Sequence, residues 1–121
     1  MNAITMLQTA AILLLLTASG GLAMAYVRLA RKVNPPAWLA MVHGFLAASG
    51  LTLLAYAGLT DRVHGGAMIG LILLAVAATG GVVMNLAYQL AGRLLPLWLL
   101  YVHIALAALG TGLVVWGAWS G

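Results

Sequence analysis

The chain has 121 residues, 65% of them hydrophobic, with a mean hydropathy of +1.15 and five basic side chains against one acidic. No water-soluble domain of this size presents so little polar surface, so the composition is that of an integral membrane protein. The net charge of +4 suits anionic headgroups and gives no case for nucleic acid, while the lack of cysteine excludes disulfides, cysteine-ligated iron–sulfur clusters and covalent c-type haem attachment.

Four uncharged apolar runs fill the chain, each longer than the roughly 20 residues that carry a helix across about 30 Å of hydrocarbon. The first is Ile4–Val27. Its "GLAMA" segment looks like a signal-peptidase site, but no basic stretch precedes the run and Arg28, Arg31 and Lys32 follow at once, so an uncleaved anchor is expected. The second run, Ala37–Leu59, starts behind Pro35-Pro36 and contains His43. Asp61, Arg62 and His64 follow, the histidine as an expected solvated loop residue. The third run, Gly66–Ala91, opens on a GxxxG pattern, Gly66 to Gly70, which suits helix–helix or subunit contact. Arg93 separates it from the fourth, Pro96–Trp119, which contains His103.

Basic residues cluster after the first and third runs. The positive-inside rule therefore places those loops in the cytoplasm and both termini on the non-cytoplasmic side. Tyr26, Tyr88, Tyr101, Trp38 and Trp98 at one end, with Tyr56, Trp116 and Trp119 at the other, read as interfacial belts. The expected fold is all-α: an integral membrane four-helix bundle, up-down-up-down, forming a single domain over residues 1–121.

The bundle is also a tandem repeat. At an offset of sixty, Gly20-Gly21 aligns with Gly80-Gly81, Met24 with Met84, Pro36 with Pro96, Trp38 with Trp98, His43 with His103, Ala47 with Ala107 and Gly50 with Gly110. Each unit is a helical hairpin, about 1–60 and 61–121, and because a hairpin crosses twice, the pseudo-twofold axis lies along the membrane normal. The second and fourth helices are then parallel and diagonal, with their histidines at equal depth, about 10 Å below the end at which those helices begin.

Small residues surround that level. Gly20, Gly21, Gly80 and Gly81 reach a similar depth, and Ala47, Gly50, Ala107 and Gly110 follow each histidine at positions four and seven on its own face. A flat cofactor with two axial ligands explains the combination. His43 and His103 would bind haem iron, the glycines and alanines would form its slot, and Arg28, Arg31, Lys32 and Arg93 would give a basic rim for propionates. Without cysteine the haem would be non-covalent, one haem b.

Blander readings stand beside this one. A membrane histidine can simply hydrogen-bond a neighbouring helix, and small residues let helices pack closely with no ligand at all. Met24 and Met84 could join the histidines as ligands of a carried metal ion, though methionine is also ordinary core filler. No carboxylate lies within a span, which disfavours proton-coupled export, and no hydrolytic or phosphate-binding constellation can be assembled.

With paired histidines on four spans, the chain resembles the four-helix membrane b-type cytochromes, broadly the cytochrome b561-like and respiratory membrane-anchor subunits. The resemblance covers the whole architecture and rests on His43 and His103. It implies electron transfer in a bacterial inner membrane between a quinone pool and partner redox subunits, within a larger oxidoreductase or a homo-oligomer. Members of the b561 group usually carry two histidine pairs, whereas the outer half here has no second pair. The competing expectation is a cofactor-free anchor or assembly subunit, or a histidine and methionine metal-ion carrier.

Overall fold

A computed structural model describes residues 2–60, 63 and 65–120. Four long helices account for most of them: α1 (Ala3–Ala30), α2 (Ala37–Thr60), α3 (Gly66–Val83) and α4 (Leu97–Trp119), with a π-helical segment, Met84–Gln89, extending α3. All four, counting that extension, are long and apolar enough to cross a membrane. His64, expected in the second loop, lies outside the described residues.

The ends of the helices follow from local chemistry. Asn2 caps α1, its side-chain oxygen accepting from the Thr5 amide at 2.8 Å. Pro35 and Pro36 separate α1 from α2, and Pro96 is the residue before α4, where its fixed φ suits a helix entrance. In each half the chain leaves the odd-numbered helix through a left-handed residue at the same repeat position: Lys32 at φ 59° and Gly92 at φ 68°. Glycine holds that conformation without strain and lysine does not. Gly92→Ala is therefore expected to destabilise the fold by about 1 kcal/mol, while Lys32→Gly does not destabilise it; thermal unfolding in detergent measures both.

Packing makes the two halves hairpins. The tightest interfaces are α1 with α2 and α3 with α4; α1 also packs along α4, and α2 with α3 is the loosest of the neighbouring pairs. The helices thus occupy the corners of a square in chain order, with α2 and α4 diagonal. Lipid supplies no hydrophobic drive between helices, so close approach through small residues has to hold them together. A Cβ on Gly70 would lie 2.8 Å from the Gly110 carbonyl oxygen, and one on Gly110 would lie 2.7 Å from Leu74 Cγ. The Gly66–Gly70 pattern accordingly serves the contact of α3 with α4 inside the chain. A main core of Leu7, Ala10, Ala11, Leu14, Leu54, Ala67, Leu74, Val114 and Ala118 fills the half of the bundle nearer the chain termini.

At the opposite end, the basic one, the two interhelical loops are tied together. Arg28 Nε donates to the Leu95 carbonyl at 2.9 Å, Asn34 donates to the Arg93 carbonyl at 2.7 Å and accepts from the Leu95 amide at 3.0 Å, and Gln89 donates to the Pro35 carbonyl at 2.7 Å. Arg93 also lies over the Tyr88 ring, 4.7 Å from its centroid. The π turn has a role in this latch. Position 28 corresponds to 88 in the repeat, but the extra residue of a π turn brings Gln89 to bond Pro35, the repeat mate of Leu95.

Candidate functional site

His43 is the seventh residue of α2 and His103 the seventh of α4. Each ring lies across the odd-numbered helix of its own hairpin, where a glycine leaves space for it. A Cβ on Gly21 would come within 2.9 Å of His43 Cε1, and one on Gly81 within 3.2 Å of His103 Cε1. Gly20 and Gly80 stand further off, at 3.9 and 4.0 Å from the respective Nδ1 atoms. The four glycines foreseen as a cofactor slot are thus the surfaces on which the imidazoles rest.

Lying there, each ring reaches a backbone carbonyl one turn before its glycine. His43 Nδ1–H donates to the Thr17 oxygen at 2.8 Å, and His103 Nδ1–H to the Ala77 oxygen at 2.7 Å. A carbonyl can only accept, so Nδ1 carries the hydrogen, and in the neutral form of the ring Nε2 is the nitrogen with the lone pair. A backbone partner that fixes the tautomer and orients the ring is what metal-binding histidines commonly have. The bonds are equivalent under the repeat, because Thr17 and Ala77 are sixty residues apart, as the two histidines are.

The two imidazoles meet across the bundle with ring centroids 6.3 Å apart and planes at 63°. A ring nitrogen lies about 1.1 Å from the ring centre and binds a metal at about 2.0–2.1 Å, so two imidazoles sharing one ion head-on have centres about 6.2–6.4 Å apart. The observed centroid spacing falls in that range, and it is equally the spacing of an edge-to-face ring contact.

Below the rings is a void of about 60 Å³, lined by three residues from each helix. They form six repeat-related pairs: Leu14 with Leu74, Thr17 with Ala77, Ala18 with Ala78, His43 with His103, Ala47 with Ala107 and Leu51 with Thr111. The void therefore lies on the pseudo-twofold axis. Four of these six pairs are identical in a repeat whose other aligned pairs mostly differ, so sequence identity concentrates where the histidines meet. Besides the histidines, the walls are five alanines, three leucines and two threonines.

The remaining expected site residues divide clearly. Ala47 and Ala107 line the void. Gly50 and Gly110 do not; Gly50 receives Leu13 and Leu14 from α1, and Gly110 receives Leu74 and the Gly70 carbonyl from α3. Arg28 is buried and bonded to Leu95, whereas Arg31 is exposed. Met24 and Met84 stay out of the void, Met84 packing with Leu95 and Leu100 instead. Among the described residues no group of three or more histidine, cysteine or carboxylate side chains could hold a metal ion, so any metal here rests on the two imidazoles.

The chain matches no family model, no curated protein and no solved structure.

The fit to a haem has two parts. The donors suit it in type: two imidazoles, each oriented by its Nδ1 bond, with ring centres 6.3 Å apart. The void is smaller than a porphyrin, since about 60 Å³ corresponds to one or two waters at about 30 Å³ each. Sequence reasoning missed the Thr17 and Ala77 carbonyls, whose signal is a glycine four residues later on the helix that faces each histidine. It also missed Asn34 and Gln89, which no spacing rule marks.

Proposed function

We propose that the chain binds one haem b between His43 and His103 and carries electrons as a small subunit of a membrane oxidoreductase, exchanging them with quinone or a partner redox subunit. The observation that carries this reading is the histidine pair: two imidazoles 6.3 Å apart, each held by its Nδ1 to the backbone of its own hairpin. If haem were bound there, His43 and His103 would hold it, and it would supply a one-electron couple, which suits electron transfer. The protein's part is to orient both rings, keep water out with apolar walls, and set the basic end toward the cytoplasm. The room a porphyrin needs would come from the seam between α2 and α3, the loosest of the neighbouring pairs.

A second reading takes the void at its size. A single imidazole-bound metal ion fits about 60 Å³ without any movement of the helices. The methionines contribute nothing to it, because neither lines the void. One experiment separates the two. Protein purified from membranes of cells supplied with iron and a haem precursor is expected to be coloured, with a sharp reduced-minus-oxidised visible spectrum and one haem per chain by pyridine haemochrome assay. A colourless preparation holding one equivalent of copper or zinc supports the ion; one with neither refutes both.

A further inference from the structure

We propose that the ion suited to this centre is a soft monovalent cation, Cu(I), held by His43 and His103 alone. The inference deepens the second, ion reading of the site, rests on that reading and needs no haem. The hydrogen bonds of the two rings involve Nδ1 only. Among the described residues no buried side-chain nitrogen lacks a hydrogen-bond partner, so each Nε2, which bonds nothing there, reaches open space. Both rings line the axial void of about 60 Å³, and the 6.3 Å between their centres is within the range for one ion held from both sides.

The number of donors selects the ion. The rest of the void is alanine, leucine and threonine, neither methionine reaches it, and among the described residues no third histidine, cysteine or carboxylate joins the pair. Zn(II) is held by a tetrahedral set of ligands and Cu(II) by a tetragonal one, so two nitrogens fall short of both. Mg(II) and Ca(II) call for oxygen ligands, carboxylates above all. Cu(I) has a filled d shell and accepts two ligands in a line. Such an ion imposes no angle between the planes of its two rings, so the 63° found here is compatible with it.

Charge points the same way. The cost of taking an ion out of water rises with the square of its charge, and no carboxylate side chain lies on the four helices to offset it. A single positive charge is the least a metal ion can bring. The Thr17 and Ala77 carbonyls behind the rings help to carry it, because a histidine that donates its other N–H to a carbonyl is the stronger base toward a metal.

The full chain, purified in detergent and stripped of metal ions, is titrated anaerobically with Cu(I) against a chromogenic Cu(I) chelator. One Cu(I) per chain is expected, displaced by Ag(I) and not by an equal amount of Zn(II), with X-ray absorption showing two imidazole nitrogens as the only ligands. His43→Ala and His103→Ala should each weaken binding about a hundredfold or more. His64→Ala, Met24→Leu and Met84→Leu should leave it unchanged. Should a histidine variant fail to fold, the ligand number and the order of ions on wild type still decide. A third ligand on copper, or loss of the ion in the His64 or methionine variants, overturns the proposal. Zn(II) bound at these histidines in preference to Cu(I) overturns the choice of ion and leaves the ion reading standing. No binding of either ion, or haem already on both imidazoles in the purified chain, overturns the two together.

Discussion

His43→Ala and His103→Ala are each expected to abolish the low-spin haem spectrum completely while leaving the bundle folded. Both outcomes follow from where the rings are anchored. The iron would hold to the chain through two nitrogens, so losing one removes half of the bonds and leaves the other imidazole as a single weak attachment. Altering a group that merely orients a ligand typically costs 10–100-fold in metal affinity, so removing a ligand itself costs about a hundredfold or more. The fold loses little, because each histidine contributes one hydrogen bond to a carbonyl, and such interhelical bonds in membranes average about 0.6 kcal/mol. The measurement is haem per chain and the visible spectrum, beside thermal unfolding of the same preparations. Unchanged haem content in either variant would place the cofactor elsewhere and end the electron-carrier reading. A loss of folding together with haem in both variants would instead make the pair structural.

The spans were legible in the sequence because hydropathy and charge report them directly. The run Ile4–Val27 became Ala3–Ala30, longer at the basic end because Arg28 is buried on the last turn and bonded across the bundle. The third span was foreseen as one continuous run to Ala91; hydropathy does not report a change of hydrogen-bond register, and the π segment Met84–Gln89 passed unseen. At the site, the repeat revealed which residues would meet but not what each would touch. Successive residues advance about 100° around a helix, so positions four and eight after a histidine turn about 40° and 80° to one side, and position seven about 20° to the other. Ala47 and Leu51, like Ala107 and Thr111, follow the first direction and line the void. Gly50 and Gly110 follow the second and meet the neighbouring helix of their own hairpin. One histidine face is in fact two surfaces, and a count of small residues cannot divide them.

The glycines give the second large effect, and its order of severity is the informative part. Gly21→Ala places a methyl carbon 2.9 Å from His43 Cε1, a distance that real contacts do not reach, so the ring has to lift away from α1. Lifting it stretches the Nδ1 bond to Thr17 and frees the ring to turn and to exchange its tautomer. Haem affinity should fall about 10–100-fold, the usual cost of losing the group that orients a ligand. Gly81→Ala meets His103 at 3.2 Å and should cost less, since a small shift of the ring relieves it. At Gly20 and Gly80 the nearest ring atoms are 3.9 and 4.0 Å away, ordinary contact, and alanine should be nearly silent. Stability should move the other way, because alanine in a helix is favoured over glycine by about 1 kcal/mol. Haem titration and thermal unfolding of the four single variants therefore test the seat as distinct from a slot. If the glycines instead bordered a porphyrin face, the variants at 20 and 80 would lose haem as readily as those at 21 and 81, and the graded order would disappear.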